Sequence, residues 1–396
     1  MARNTTHSSA DQRPLEVMLV AGEASGDARG AELVRNLRQR DPSVEFFGMG
    51  GADLRQAGMR VVYDSAKVAG VGFSEIFGSL RHIWLAYRLL RRLLLDARPA
   101  LLILIDFPEF NMRLARIARR HGITVLYYIS PQVWAWRRYR IRRIAASVDA
   151  MAVVFPFEAD LYRASGVPTV SFVGHPLVDV VNPSQDRETS LRATGLDRGK
   201  LTVALMPGSR EKEVGSLIGP MLEAAGVLAR ERDAQFLLIR ASTIDRSALE
   251  QAVSASPVDV RIVEGDAYNM LAAADLVWVA SGTATLEAGL LKKPMVITYR
   301  LSPLSYWLGR LLVRVDHIGM VNIIAGERVV PELIQDEVTA ERILAETRRM
   351  LQPETQNAVV RKLEMVRQRL GPPGAPGRVA DMAMALLAHP GTGTSP

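Results

Sequence analysis

Cysteine is absent from this 396-residue chain, so it has no disulfides, no thiolate metal site and no cysteine nucleophile. Histidine is nearly as scarce. His7, His82, His121, His175, His317 and His389 are scattered, with no pair at metal-ligand spacing. No apolar run approaches the roughly 18 residues of a membrane span. Residues 1–13 are polar and lack the apolar core of a signal peptide, so they read as a loose tail and a cytosolic location is expected. Asp-x-Asp metal motifs, a Walker loop and a G-x-S-x-G elbow are all missing, and no strand is followed by G-x-G-x-x-G. Metal-assisted phosphoryl transfer, serine hydrolysis and dinucleotide chemistry are therefore disfavoured.

What remains is ample for two domains at roughly 100–200 residues each, with 48% hydrophobic and 23% charged residues. The net charge of +7 is unevenly placed. Between Gly78 and Arg143 stand fourteen arginines, no lysine and three acidic residues (Asp96, Asp106 and Glu109), so that segment alone carries +11. One basic stretch on a near-neutral body suits a polyanion or an anionic membrane surface.

Strand-length apolar runs recur from Leu15–Ala21 onward, through Leu101–Ile105, Leu201–Met206 and Leu276–Ala280, with helical patterns between most of them. This alternation predicts parallel sheets with helices on both faces. The polar stretch Asn182–Lys200 reads as a junction. The expected organisation is α/β, with two Rossmann-like domains (14–182 and 200–335) facing across a cleft. C-terminal helices over 336–390 are expected to pack back on the first domain or on a partner subunit.

In such sheets ligands gather at the carboxyl ends of strands, and four polar turns fall there. After the first strand comes Gly22-Glu23-Ala24-Ser25-Gly26-Asp27, whose glycines permit close approach of a ligand; a plain tight turn is the alternative. Asp106 directly follows LLILI and precedes Pro108, where a carboxylate serves either as a general base or as a helix N-cap. Glu109 reads as a cleft carboxylate or as a first-turn acid favoured by the helix dipole. Gly208-Ser209-Arg210 offers backbone donors and a guanidinium to an anion, although Arg210 also fits a solvated surface. Ser281-Gly282-Thr283 opens a helix next to an apolar strand, the arrangement that binds phosphate, with a simple cap as the alternative. Glu287, one turn further on, suits ribose hydroxyls. Two phosphate-type turns in one half favour a nucleotide diphosphate.

The stretch Gly78–Leu95 is apolar except for a narrow arginine stripe, Arg81, Arg88 and Arg92, with Arg91 and Trp84 beside it. It is either covered by protein on two sides or dips into lipid while its arginines meet headgroups. Trp134–Arg143 mixes aromatics with arginines and fits RNA, a membrane interface or an exposed helix face.

Taken together, AGEASGD (21–27), GVGFSEIFGSL (70–80), IDFPEFN (105–111), YYISPQVWAWR (127–137), FVGHPL (172–177), LMPGSREKEV (205–214), SGTATLE (281–287) and VNIIAGERVVPELIQ (321–335) resemble the lipid-A-disaccharide synthase family, inverting glycosyltransferases of the GT-B type. Many members carry Asp-x-Pro-Asp where this chain has Asp106 and Glu109. The resemblance implies that UDP-2,3-diacylglucosamine donates its sugar to the 6-hydroxyl of 2,3-diacylglucosamine 1-phosphate, giving a β-1,6-linked disaccharide phosphate and UDP without metal or other cofactor. It implies Asp106 as the base, with Glu23, Ser25, Gly26, Asp27 and Glu109 lining the acceptor side or cleft. Gly208, Ser209, Arg210, Ser281, Gly282, Thr283 and Glu287 would hold the UDP-sugar, joined by Asn322 and Gln335, which spacing alone does not pick out. It also gives Arg81, Trp84, Arg88, Arg91 and Arg92 a reason to touch the inner membrane peripherally, and it suggests a homodimer exchanging C-terminal segments. No nucleic-acid partner is expected. The rival readings are another enzyme of the same fold, such as a UDP-N-acetylglucosamine 2-epimerase or a peptidoglycan glycosyltransferase, and a basic RNA-binding protein.

Overall fold

The computed structural model describes residues 15–69, 76–131, 140–301 and 316–388. It divides the chain into two compact units, one running to Pro176 and resuming at Gly374, the other formed by Leu177–Pro373.

The first unit carries β1 (Glu16–Ala21), β2 (Glu45–Gly50), β3 (Arg60–Asp64), β4 (Leu101–Ile105), β5 (Thr124–Tyr128), β6 (Ala150–Val153) and β7 (Thr169–Phe172). They form one parallel sheet in the order β3-β2-β1-β4-β5-β6-β7. Unbroken apolar strands such as LLILI, buried at every position, are what a parallel sheet covered on both faces requires. Strand order reverses between β1 and β4. Their register pairs Ala21 with Ile105, so the chain leaves both strands at one level, through Gly22 on one side and Asp106 on the other.

The second unit repeats the plan with β8 (Leu201–Met206), β9 (Ala234–Ile239), β10 (Val260–Val263), β11 (Leu276–Ala280), β12 (Met295–Tyr299) and β13 (Glu332–Ile334), ordered β10-β9-β8-β11-β12-β13. The reversal here lies between β8 and β11, where Met206 pairs with Val279. Ligands settle at such reversals because the flanking loops part to opposite faces and leave a crevice. Both units are therefore α/β with parallel sheets, as the alternation in the sequence requires.

Three features depart from the sequence reading. The edge strand β13 spans three residues, too short for periodicity to reveal. The stretch 182–200 is no linker. Asn269 Oδ1 accepts from the amides of Ser184 and Gln185, while Arg187 reaches Asp275 with both terminal nitrogens, at 2.6 and 2.9 Å, which fastens the segment within the second unit. The C-terminal helices do not form one body. Helices Ala340–Met350 and Pro353–Arg369 belong to the second unit, the former held by Trp278, whose buried Nε1 donates to Thr347 Oγ1 at 2.9 Å. Only the last helix, Ala375–Ala388, joins the first unit, where Arg40 pairs with Asp381 and Arg378 donates to the Val173 carbonyl.

Among the described residues no helix is long and apolar enough to cross a membrane. Helix Ile76–Ala97 has one covered face and one exposed face. Ala86, Leu90 and Leu94 are fully buried in the core of the first unit, whereas Trp84 is 53% exposed and Leu85 38%. Arg81, Arg88, Arg91 and Arg92 are exposed on the same helix, with Arg88 lying 4.6 Å over the Trp84 ring and Arg92 paired with Asp96. Most of Trp134–Arg143, the start of the 70–80 motif and the N-terminal tail lie outside the described residues.

Candidate functional site

The crevice of the first unit is built around a strained turn. Asp106 and Phe107 both adopt left-handed backbone angles, φ 47° and 46°, which cost a non-glycine residue on the order of 1–3 kcal/mol and persist only where neighbours over-determine them. Those neighbours are identifiable. The Asp106 carbonyl accepts from Tyr127 Oη at 2.6 Å and from Asn111 Nδ2 at 2.7 Å. Phe107 packs on Gly22, where an added Cβ would come within 2.4 Å of the ring. Helix Pro108–Arg120 begins after Phe107, and no side chain caps it. Asp106 is thus not the N-cap that the sequence allowed.

Freed from capping, the carboxyl of Asp106 is largely desolvated and faces the negative charge of Glu23, with only the Phe107 amide acting the other way. These push its pKa up to about 6. A base near that value is ionised at neutral pH yet still accepts a proton readily. Glu23 and Ser25 are exposed at the start of helix Ala24–Arg40, which has no side-chain cap, and Gly26 is buried against Ala21 and Ile105.

Asp27, expected on the ligand side, is placed otherwise. It is buried, and its carboxylate accepts from the amides of Gly51, Asp53 and Leu54 at 2.5, 3.0 and 3.3 Å, tying helix Ala24–Arg40 to the turn after β2. Its role is structural. Glu109 is exposed and forms an ion pair with Arg140.

Sequence reasoning missed Tyr127 and Asn111. Asn111 closes the IDFPEFN stretch and Tyr127 opens YYISPQVWAWR, so both could have been noticed there, but only the register that sets Tyr127 on β5 beside Leu104 brings it to Asp106. Tyr127→Phe leaves the packing intact and removes one of the two bonds on the Asp106 carbonyl. The expected result is a loss of roughly 1 kcal/mol in stability, a lower kcat at unchanged donor KM, and an acid limb displaced from that of the unaltered protein. An unmoved pH profile would make Tyr127 merely a core residue.

In the second unit, the turns after β8 and β11 line one cavity of about 490 Å³ together with Glu287. Gly208, Ser209, Ser281, Gly282, Thr283 and Glu287 all face it, so the structure brings these expected residues together. Gly282 has φ 150° with open space where a Cβ would sit, and helix Thr283–Leu290 has no side-chain cap. Ser281 Oγ donates instead to the Ile318 carbonyl at 2.9 Å. The simple-cap reading is thereby removed, since no side chain caps this helix start. The Tyr268 hydroxyl donates to Glu287 Oε1 at 3.2 Å and orients that carboxylate.

Arg210 stands beside this cavity, 82% exposed, paired with Glu213 at 3.0 Å; the Ser209 amide donates to the same carboxylate at 3.3 Å. Asn322 and Gln335 are corrected. Asn322 is fully buried, its Nδ2 donating to the Val330 carbonyl and Glu332, its Oδ1 accepting from the amides of Val329 and Val330. Gln335 is clamped to both backbone groups of Leu301. Neither residue lines the cavity above, and both side chains hold loops. Among the described residues no three His, Asp or Glu side chains cluster as a metal site.

The model of the family described as lipid-A-disaccharide synthetase matches residues 17–371. The chain is similar to the lipid-A-disaccharide synthase of Geobacter sulfurreducens, 48% identical over 390 residues that cover 98% of this chain and 99% of that one. Its fold resembles two solved structures. UDP-GlcNAc 2-epimerase from Neisseria meningitidis bound to UDP-GlcNAc has TM-score 0.61 and 12% identity over 94% of this chain and 99% of the other. The calicheamicin glycosyltransferase CalG4 has TM-score 0.61 and 13% identity over 95% and 99%.

Proposed function

The chain belongs to the lipid-A-disaccharide synthase family and is a glycosyltransferase that forms the lipid A disaccharide from a sugar nucleotide and a lipid-linked sugar, and within that reaction we propose the following roles. The donor is UDP-2,3-diacylglucosamine and the acceptor 2,3-diacylglucosamine 1-phosphate. Asp106 removes the proton of the acceptor 6-hydroxyl as that oxygen bonds to the anomeric carbon and the bond to the diphosphate breaks. UDP leaves toward the helix start at Thr283, the amides of Gly208 and Ser209, and Arg210. Charge that develops on the leaving phosphate is met by these fixed donors, and no metal is needed. Glu287 takes the ribose hydroxyls.

The observation that carries this reading is the state of Asp106: at the strand-order reversal, uncapped, desolvated, with its pKa at about 6 and its carbonyl held from two sides. The direct test supplies the two lipid-linked sugars and looks for disaccharide and UDP in equal amounts. Neither product appearing would end the assignment.

Attachment to the inner membrane is peripheral, through the exposed face of helix Ile76–Ala97. Trp84 and Leu85 supply the apolar contact, and Arg81, Arg88, Arg91 and Arg92 meet anionic headgroups, each near-surface cation contributing roughly 1 kcal/mol. Arg88→Glu with Arg92→Glu is expected to reduce co-sedimentation with anionic vesicles by more than about tenfold, with no change on neutral ones. Equal binding of the double variant would return this face to an ordinary solvated surface. A homodimer exchanging C-terminal segments is part of the same proposal, checked by the molecular mass in solution with and without the last helix.

A further inference from the structure

Glu109, Met112 and Arg116 follow at helical spacing along one face of helix Pro108–Arg120. Facing them stand Arg140 and Arg143, the first preceding the short helix Ile141–Ala145 and the second within it. Between the two elements lies a recess of about 90 Å³, on whose lining Pro108 joins Glu109 and the three arginines. Its charges are not balanced. Glu109 pairs with Arg140, whereas among the described residues no carboxylate pairs with Arg116 or Arg143. Arg119, further along the same helix, shows the contrast, since it is paired with Asp149. Arg116 Nε donates to the Met112 carbonyl at 3.2 Å, which steadies its guanidinium beside the recess. Three guanidiniums against one carboxylate leave two positive charges unmatched in one small space. Such an arrangement is costly until an anion enters it.

We infer that this three-arginine recess binds the anomeric phosphate of the acceptor, a phosphomonoester, while the acceptor's 6-hydroxyl stands at Asp106. The inference rests on the reading of Asp106 as the base. Size, charge and position carry it. The recess of about 90 Å³ compares with roughly 30 Å³ for a water molecule in the liquid and roughly 300 Å³ where whole-ligand sites begin. It therefore fits a phosphate group and not a sugar or a base. A phosphomonoester carries about −1.5 to −2 charges at pH 7, which answers the unmatched charge of the wall. A phosphodiester headgroup carries less. Guanidinium forks suit phosphate oxygens, which they take two at a time. Position supplies the rest. Pro108, on the lining, is the second residue after Asp106, and two residues span at most about 7 Å. The 6-hydroxyl and the anomeric phosphate leave one pyranose ring, so the group that anchors the phosphate must lie within a ring's breadth of the base. The recess meets that condition from the same helix whose start the strained Asp106–Phe107 turn sets.

The test uses the full chain in detergent with the UDP-linked donor held constant. Two acceptors are compared, the 1-phosphate and the same lipid with its phosphate capped as the methyl ester. The unaltered protein should prefer the monoester about tenfold or more in kcat/KM, the low end for bonds to a charged group. Arg116→Gln with Arg143→Gln changes two exposed side chains and should erase that preference by lowering kcat/KM for the monoester. The KM of the donor should not move. Arg116→Lys with Arg143→Lys keeps the charge without the fork and should recover part of the preference. A preference unchanged by the glutamine variant would overturn the assignment. So would equal losses on both acceptors, which mark a structural role, or weakened binding to anionic vesicles in place of lost discrimination, which marks a phospholipid headgroup. Failure of the base reading shows separately, as activity retained by Asp106→Asn. If the unaltered protein joins neither acceptor to the donor, the reaction itself is misassigned and the recess loses its ligand.

Discussion

Asp106→Asn is expected to lower turnover by about 10²–10⁴-fold, the contribution of a positioned general base, while UDP affinity stays near that of the unaltered protein. The side chains are nearly isosteric, so the left-handed turn, the Phe107 packing on Gly22 and the two bonds on the Asp106 carbonyl all remain. The pH profile supplies the sharper signature. With the carboxyl at about 6, kcat/KM of the unaltered protein should fall as pH drops through 6, because the proton-accepting form disappears. The asparagine variant should lack that limb.

Stability moves the other way. Burial raises this carboxyl from 3.8 to about 6, so the folded chain binds a proton more readily than the unfolded one. The stability that the protonated group contributes is complete below pH 3.8 and is lost as pH rises through about 6. Asparagine never ionises, so the variant should be more stable above that pH, by roughly 1–2 kcal/mol once residual solvent access is allowed for. The gain should vanish below about pH 4. Near-normal activity in the variant, or a stability difference that does not depend on pH, would remove Asp106 as the base.

Arg210→Ala carries the next largest effect. Its guanidinium is positioned by Glu213 at the start of helix Glu211–Glu231, next to the cavity that the turns after β8 and β11 form. Loss of a fixed donor that stabilises developing charge costs about 10²–10³ in kcat, and UDP affinity should weaken with it, because in the role proposed above the same group serves bound and leaving diphosphate. Stability should hardly change, since an exposed ion pair contributes little. Addition of EDTA to the unaltered protein should leave the rate constant. A rate that collapses with EDTA and returns with a divalent cation would show that a metal, and not Arg210, neutralises the leaving group.

Local pattern made the frame legible. Leu101–Ile105, Leu201–Met206 and Leu276–Ala280 occur as strands with the limits their apolar runs suggest, because a parallel strand covered on both faces leaves no room for polar interruption. The polar turn after each strand could likewise be read as a ligand-facing position. The destination of each polar side chain could not. Asp27 and Asp106 both lie at carboxyl ends of adjacent strands, yet one is surrounded by three amides of the turn after β2 and the other by a desolvated crevice. Asn322 and Gln335 likewise sit inside ligand-like motifs and hold loops instead.

The sequence by itself determined the doubled α/β plan, the strands other than β13 and the family, since these depend on periodicity and on the order of short motifs. Only the tertiary structure decided which carboxylate is desolvated, that Tyr127 from β5 holds the Asp106 backbone carbonyl, and that one face of helix Ile76–Ala97 is core while another is bare. Desolvation and hydrogen-bond satisfaction are properties of the neighbours a residue acquires in space, and those neighbours come from strands and helices far apart in the chain.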